Sequence, residues 1–365
     1  MNLKETEEFL KESVEKGKQI IVFHDTETTG VLKTDRILQS AHALYEVFED
    51  SGEINFIDYL EENIMPPVPI GPASAAVHGI WYPDLDNCPD FNYSKTKKYF
   101  ELFIKNGVFY CAHNSDFDIF QLEKEGIFYP KDLVIDTLQI AKLINIDNDD
   151  IESNGLQYLR YFYNFDMQPE FKEFLSYYKI EKLQPHTALS DIAVLAFYFK
   201  FLLENKHVSS LENAVKMTQE YVVSDKVTFG NVFEKGASIS ESIISTYKQY
   251  GRLKRGIDYF NWAMLNMVNL SPDLKISIAK HTLDAVKKGE LEFTDSAIVP
   301  MKYIAATFLP EYSDYLKSMG FNTEEAKKSV LNKIKKEMIK IEEAGTEDER
   351  NSGYYNMKKM ISNIK

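Results

Sequence analysis

Cysteine is scarce in this chain. Only Cys88 and Cys111 occur in its 365 residues, so at most one disulfide could form and no disulfide framework holds the fold. Neither cysteine has partners at zinc spacing, which removes a structural zinc site. The scarcity fits a reducing compartment. Met1 to Lys18 also lacks the basic region and apolar core of a secretory signal, and a cytoplasmic location is expected. Long apolar runs are missing too: the richest stretch, Ala196 to Leu203, is interrupted by Lys200 and is too short to cross a bilayer. No membrane partner is expected. Net positive charge is absent, and there is no internal repeat. The formal charge of −14 opposes non-specific attraction to nucleic acid over the whole surface. It does not oppose a site that works through bound cations and local basic patches.

What remains is an ordinary globular composition, 44% hydrophobic and 27% charged, with 22 Tyr and 24 Phe to build cores. The length predicts two to three units. From Lys18 to about Lys206, short apolar runs alternate with helix-compatible blocks. Ile20-Ile21-Val22-Phe23 reads as a buried central strand, and Ile37 to Phe48 and Ile54 to Leu60 as two more joined at Ser51-Gly52. Val108 to Cys111 and Leu133 to Ile135 complete five strands, with helices predicted over Ser94 to Lys105, Ser115 to Lys124 and Thr187 to Leu203. Strands interleaved with helices imply an α/β layered unit. Beyond Ser271 nearly everything is helix-compatible.

Three acidic motifs fall at the ends of these elements. In Asp25-Thr26-Glu27-Thr28-Thr29-Gly30, residues two apart on an extended chain share a face, so Asp25 and Glu27 can converge on one divalent cation. Alone, such a pair is equally a polar strand end before a turn. In His113-Asn114-Ser115-Asp116-Phe117-Asp118, a helix starting near Ser115 separates Asp116 and Asp118 by about 200°, so only one of them can face the site. In Pro185-His186-Thr187-Ala188-Leu189-Ser190-Asp191, an acid sits beside a core-like apolar stripe, which is costly unless it is paired or metal-bound. His186 and Asp191 are about 140° apart on an ideal helix, which places His186 on the preceding loop.

Taken in order, these motifs resemble the DEDDh (DnaQ-like) 3′→5′ exonucleases over about Gln19 to Lys206. Arg36-Ile37-Leu38-Gln39, Val77-His78-Gly79-Ile80, Ile135-Asp136-Thr137-Leu138 and Gly155-Leu156 add to the resemblance. It implies a ribonuclease H-like mixed five-stranded sheet flanked by helices. It selects Asp118 over Asp116, and it assigns Asp25, Glu27, Asp118 and Asp191 as ligands to two divalent ions, Mg2+ or Mn2+. His186 becomes the general base, while Thr28, Thr29, Asn114 and His78 become contacts to the terminal nucleotide. The implied activity releases nucleoside 5′-monophosphates from DNA, single-stranded by preference. An exoribonuclease of the same family is the alternative, and a dormant nucleic-acid-binding scaffold is another.

A second resemblance, to the small module that follows the nuclease in exonuclease X-like proteins, rests on Val227-Thr228-Phe229-Gly230, Lys235-Gly236 and Asp258-Tyr259-Phe260-Asn261-Trp262. The expected organisation is therefore an extension over 1–18, an exonuclease domain over 19–206, a linker over 207–224, a small α+β module over 225–270 and a helical region over 271–365. Lys248, Arg252, Lys254 and Arg255, interleaved with Tyr247 and Tyr250, suit a single strand, with charge for phosphates and rings for bases. A solvated loop explains them equally well. In the helical region, Lys327, Lys328, Lys333, Lys335, Lys336 and Lys340 fall mostly opposite an apolar stripe of Ala326, Val330, Ile334, Met338 and Ile341 and read as a solvated face. A docking surface for a polymerase or another replication or repair partner is the alternative for that region.

Overall fold

The computed structural model describes residues 1–343 apart from 33, 147, 149, 268 and 269, with side chains described as far as residue 336. The chain divides into two compact units, Met1–Glu220 and Tyr221–Lys365.

The first unit is a mixed sheet of five strands, β1 (Gln19–Thr28), β2 (Ile37–Phe48), β3 (Glu53–Asn63), β4 (Phe109–Ala112) and β5 (Val134–Asp136), in the order β3-β2-β1-β4-β5. β2 is antiparallel to both β1 and β3, while β4 is parallel to β1 and β5. Nine helices among the described residues flank it: α1 (Leu3–Glu15), α2 (Pro72–His78), α3 (Lys95–Lys105), α4 (Ser115–Lys124), α5 (Thr137–Ile144), α6 (Leu156–Phe162), α7 (Pro169–Tyr177), α8 (Ala188–Glu204) and α9 (Leu211–Gln219). The alternation along β1 decides what packs where. Ile21 and Phe23 face a core with Ile192, Leu195 and Phe199 of α8, whereas Ile20 and Val22 face Leu10, Phe100, Phe103 and Leu122. Helix α8 is apolar on nearly every side and is correspondingly buried from Ile192 to Phe199.

Residues 1–18, expected as an N-terminal extension, carry α1: Asn2 and Glu5 form a capping box at its start, and Leu10 is fully buried against the sheet. The expected linker contains α9, capped by Ser210, whose Leu211, Ala214 and Val215 join the core beside α8. Both cysteines are free.

The second unit comprises α10 (Ile239–Ile244), a hairpin of β6 (Thr246–Gln249) and β7 (Arg252–Arg255), α11 (Gly256–Asn266), α12 (Pro272–Lys287), α13 (Val299–Phe308), α14 (Ser313–Ser318) and α15 (Thr323–Glu343). The boundary expected at Ser271 falls inside one core, because Phe260 and Ala263 of α11 pack with Ile276, Leu283 and Met301. Ala326, Val330 and Ile334 of α15 are buried, Lys328, Lys333, Lys335 and Lys336 lie on its solvated face, and Lys327 is half-buried, while the side chains of Met338, Lys340 and Ile341 lie outside those described. Residues 344–365 of the expected helical region lie outside the described residues. Among the described residues no helix is long and apolar enough to cross a membrane.

Candidate active site

Because β1, β4 and β5 run parallel, their C-terminal ends meet at one edge of the sheet, where α4, α5 and the strand end of β1 converge. Asp25 and Glu27 continue the alternation of Ile21 and Phe23, so they face α8, whose first turn carries Asp191. One carboxylate oxygen each from Asp25, Glu27 and Asp191 lies within 4.8 Å of the others. Thr26 points to the opposite face, where its hydroxyl donates a 2.7 Å hydrogen bond to Asp118 Oδ1. Asp118 is buried at 3% exposure while Asp116 is exposed, which places Asp118 at the site.

The electrostatics of this edge are unfavourable without a counter-charge. Burial, and then the charges of Asp118, Asp191 and Glu27, push the Asp25 carboxyl well above the usual range. Burial and the charges of Asp191 and Asp118 push Glu27 up to about 8. Burial pushes Asp118 up to about 7, with the Thr26 hydroxyl pulling it back. Asp191 is raised by burial and drawn down by hydrogen bonds from Gln157 and the His186 backbone and by the His186 charge. Four acids raised by burial, two of them also by the charges of the others, are a poor arrangement for their own sake. Hard oxygen donors at this spacing fit a divalent cation, which would relieve the repulsion.

A chain of polar groups that sequence reasoning missed fixes Asp191. Arg160, 7% exposed, forms a two-pronged pair with Asp166 at 2.7 and 2.7 Å, and its Nη1 donates to Gln157 Oε1 at 3.0 Å. With that oxygen occupied, the Gln157 amide nitrogen must be the group that donates to Asp191 Oδ1. From the other side, Gln39 Oε1 accepts the Ala188 N–H at 3.3 Å and so anchors the start of α8 to β2. The signal for Gln157 and Arg160 was their place just after the Gly155-Leu156 landmark, which opens α6.

The remaining expected residues separate. His186 lies on the exposed turn before α8 with φ +63°. Asn114 has φ 76° and is exposed, held by its N–H on Asp136 Oδ1 at 3.0 Å, an acceptor that also caps α5. Asparagine tolerates that left-handed conformation better than most residues. Thr28 and Thr29, expected at the nucleotide, are both buried, and their hydroxyls donate to Gly30 O at 2.6 Å and Asp35 Oδ1 at 3.0 Å. Both hydrogen bonds shape the loop after β1. His78 is buried, accepts the Ile80 N–H at 3.0 Å, and is linked through Ser74 to the Thr28 carbonyl. It braces the same loop. Lys248, Arg252, Lys254 and Arg255 belong to the hairpin of the second unit, and Arg255 is already engaged with Asp258 and Asp295.

Residues 22–199 match the family model described as exonuclease (RNase_T). Comparison with curated proteins gives no match. Among solved structures the chain is similar to exonuclease X in complex with 5′ overhanging duplex DNA, at 20% identity over 54% of this chain and 99% of that one, TM-score 0.38. It is also similar to E. coli exonuclease I in complex with a dT13 oligonucleotide, at 17% identity over 50% of this chain and 41% of that one, TM-score 0.38. A third is a 3′-exonuclease described in 3′-end specific recognition of histone mRNA stem-loop, at 12% identity over 67% of this chain and 76% of that one, TM-score 0.39.

Proposed function

We propose that residues 22–199, which match the exonuclease family model, form a nuclease domain that shortens single-stranded DNA from its 3′ end. The products are nucleoside 5′-monophosphates. The observation that carries the reading is the convergence of Asp25, Glu27 and Asp191 within 4.8 Å, with Asp118 buried alongside and His186 on the adjoining turn.

Asp25, Glu27 and Asp191 would hold one divalent ion, and Asp25 with Asp118 a second, Mg2+ or Mn2+ in each case. When bound, such ions supply a nucleophilic hydroxide at neutral pH and positive charge for the leaving 3′ oxygen. The protein's own part is to place and protect that chemistry. His186 accepts the proton of the attacking water, a task for which an imidazole is the suited side chain. Gln157 holds Asp191 in one orientation, and the Asp35 and His78 hydrogen bonds keep the loop after β1 closed. Asn114 stands exposed at the same edge and meets the terminal nucleotide.

The test uses 3′- and 5′-labelled single strands, duplex DNA and RNA, each with Mg2+, Mn2+ or chelator. A 3′ label should leave at once as a mononucleotide, a 5′ label should pass through a ladder of shortening products, and chelator should stop both. Internal cuts, or early loss of the 5′ label, would sink the reading. RNA cleaved faster than DNA would transfer it to the exoribonuclease alternative.

Gln157 gives a narrower expectation. Hydrogen bonds to metal-binding side chains are worth about 10- to 100-fold in metal affinity or activity. Gln157→Leu should therefore raise the Mn2+ concentration needed for half-maximal rate by about tenfold. Titration calorimetry on the same variant should show the matching loss in Mn2+ affinity. An unchanged metal response would remove Gln157 from the site.

A further inference from the structure

The four basic residues near the hairpin do not act as one patch. In the β6–β7 register Tyr247 pairs with Lys254, Gln249 with Arg252, Lys248 with Leu253 and Thr246 with Arg255. Cross-strand partners share a face. Tyr247, Lys254 and Arg252 therefore lie on one side, and Lys248 and Arg255 on the other. Tyr250 and Gly251 form the two-residue turn, both with positive φ (49° and 78°), as tight hairpin turns require. Arg255 is spent on Asp258 and Asp295. Among the described residues Lys254 and Arg252 have no ion pair.

The face that carries Lys254 and Tyr247 opens onto a cleft of about 380 Å3 within the second unit, lined also by Asn231, Tyr259, Trp262 and Met267. Its floor is a stack of rings. Phe229 and Tyr259 are nearly parallel at 9° with centroids 5.9 Å apart, and Tyr259 and Trp262 follow at 21° and 6.0 Å. Trp262 ends the stack with 52% of its surface exposed. Gly230 borders the cleft because nothing larger fits: a Cβ there would come within 1.8 Å of the Tyr259 hydroxyl. Asp258, the acid at the rim, has its charge answered by Arg255. What remains open is a flat aromatic surface beside the unpaired Lys254, with Arg252 further along the same face of the hairpin, in a chain whose net charge is −14. A nucleobase needs the first and a phosphate the second, and together they define single-stranded nucleic acid better than an apolar peptide.

We propose that this cleft is a second nucleic-acid site, where a base stacks on Trp262 while Lys254 and Arg252 meet the neighbouring phosphates. It rests on the nuclease reading for its substrate.

Trp262 is its own reporter, since the chain has only one other tryptophan, Trp81. The experiment uses the full chain carrying Trp81→Phe and Asp25→Asn, in chelator, titrated with oligo-dT and oligo-U of about fifteen nucleotides. Saturable quenching of Trp262 emission is expected with at least one polymer, and the better quencher identifies the natural strand. Trp262→Ala should weaken binding, read by anisotropy of a labelled strand, by about tenfold or more, with Trp262→Phe restoring most of it. Lys254→Gln with Arg252→Gln should lower the slope of log affinity against log salt by about 1.4. A strand that binds without changing Trp262 emission, binds Trp262→Ala as tightly, or does not bind at all overturns the proposal. Release of mononucleotides by the unsubstituted chain is scored separately. If release persists while quenching is absent, the cleft falls and the nuclease reading stands; if quenching is present without release, the reverse holds.

Discussion

Asp25→Asn is expected to lower nuclease turnover by about a thousandfold or more while making the metal-free protein harder to melt. The two effects share one cause. Asp25 is the acid against which Asp118, Asp191 and Glu27 all press, so it is the carboxylate most needed by a cation and most unwelcome without one. The pH dependence follows from the same shifts. Glu27 titrates at about 8 when folded, against about 4.3 in an unfolded chain, and Asp25 moves in the same direction. The folded state then binds more protons than the unfolded state between those limits, so stability falls as pH rises through them. In chelator the wild-type melting transition should drop from pH 5 to pH 8.5, and added Mn2+ should raise it most at the alkaline end. Asp25→Asn should flatten the pH slope and abolish most of the Mn2+ effect. A variant that melts at the wild-type temperature in chelator and retains full activity would show that Asp25 holds no ion.

Much of this was legible in the sequence, for a physical reason. A buried strand must be apolar on both faces, and a sheet edge that binds a cation must break that rule. The passage from Ile20-Ile21-Val22-Phe23 to Asp25 and Glu27 is therefore visible without a structure, and β2 begins and ends at the residues its pattern indicates. The choice between Asp116 and Asp118 was not legible from periodicity alone. Either could have faced inward, and the family resemblance selected the one that proves buried. What stayed hidden was cooperative. No local signal says that Gln157 reaches Asp191, 34 residues further on, because that contact exists only once α6 has packed on α8. The threonines show a use that the motif does not advertise, because a hydroxyl beside a candidate metal ligand can brace a loop as well as touch a substrate. Thr29 does the former, with its hydroxyl on Asp35 and accepting the Arg36 N–H. The hairpin was obscured by its own composition: four-residue strands rich in lysine and arginine carry little of the alternation that marks a strand.

His186→Ala should cost about 10²- to 10⁴-fold in turnover and leave the Mn2+-dependent rise in melting temperature in place. The distinction matters because His186 has two links to Asp191, one through its backbone N–H and one through the charge of its ring. Alanine keeps the first and removes the second. If the ring served only to steady Asp191, saturating Mn2+ would restore the rate; if it takes the proton from the attacking water, no metal concentration will. The backbone offers a further control. A side chain at φ +63° sits in a region that costs an L-residue about 1–2 kcal/mol, so His186→Gly should relieve that strain and melt no earlier than the alanine variant. Both variants should be equally inactive despite their different stability. Activity that tracked stability between them would assign His186 to the architecture of the turn, and recovery of the alanine variant by added imidazole would return it to the chemistry.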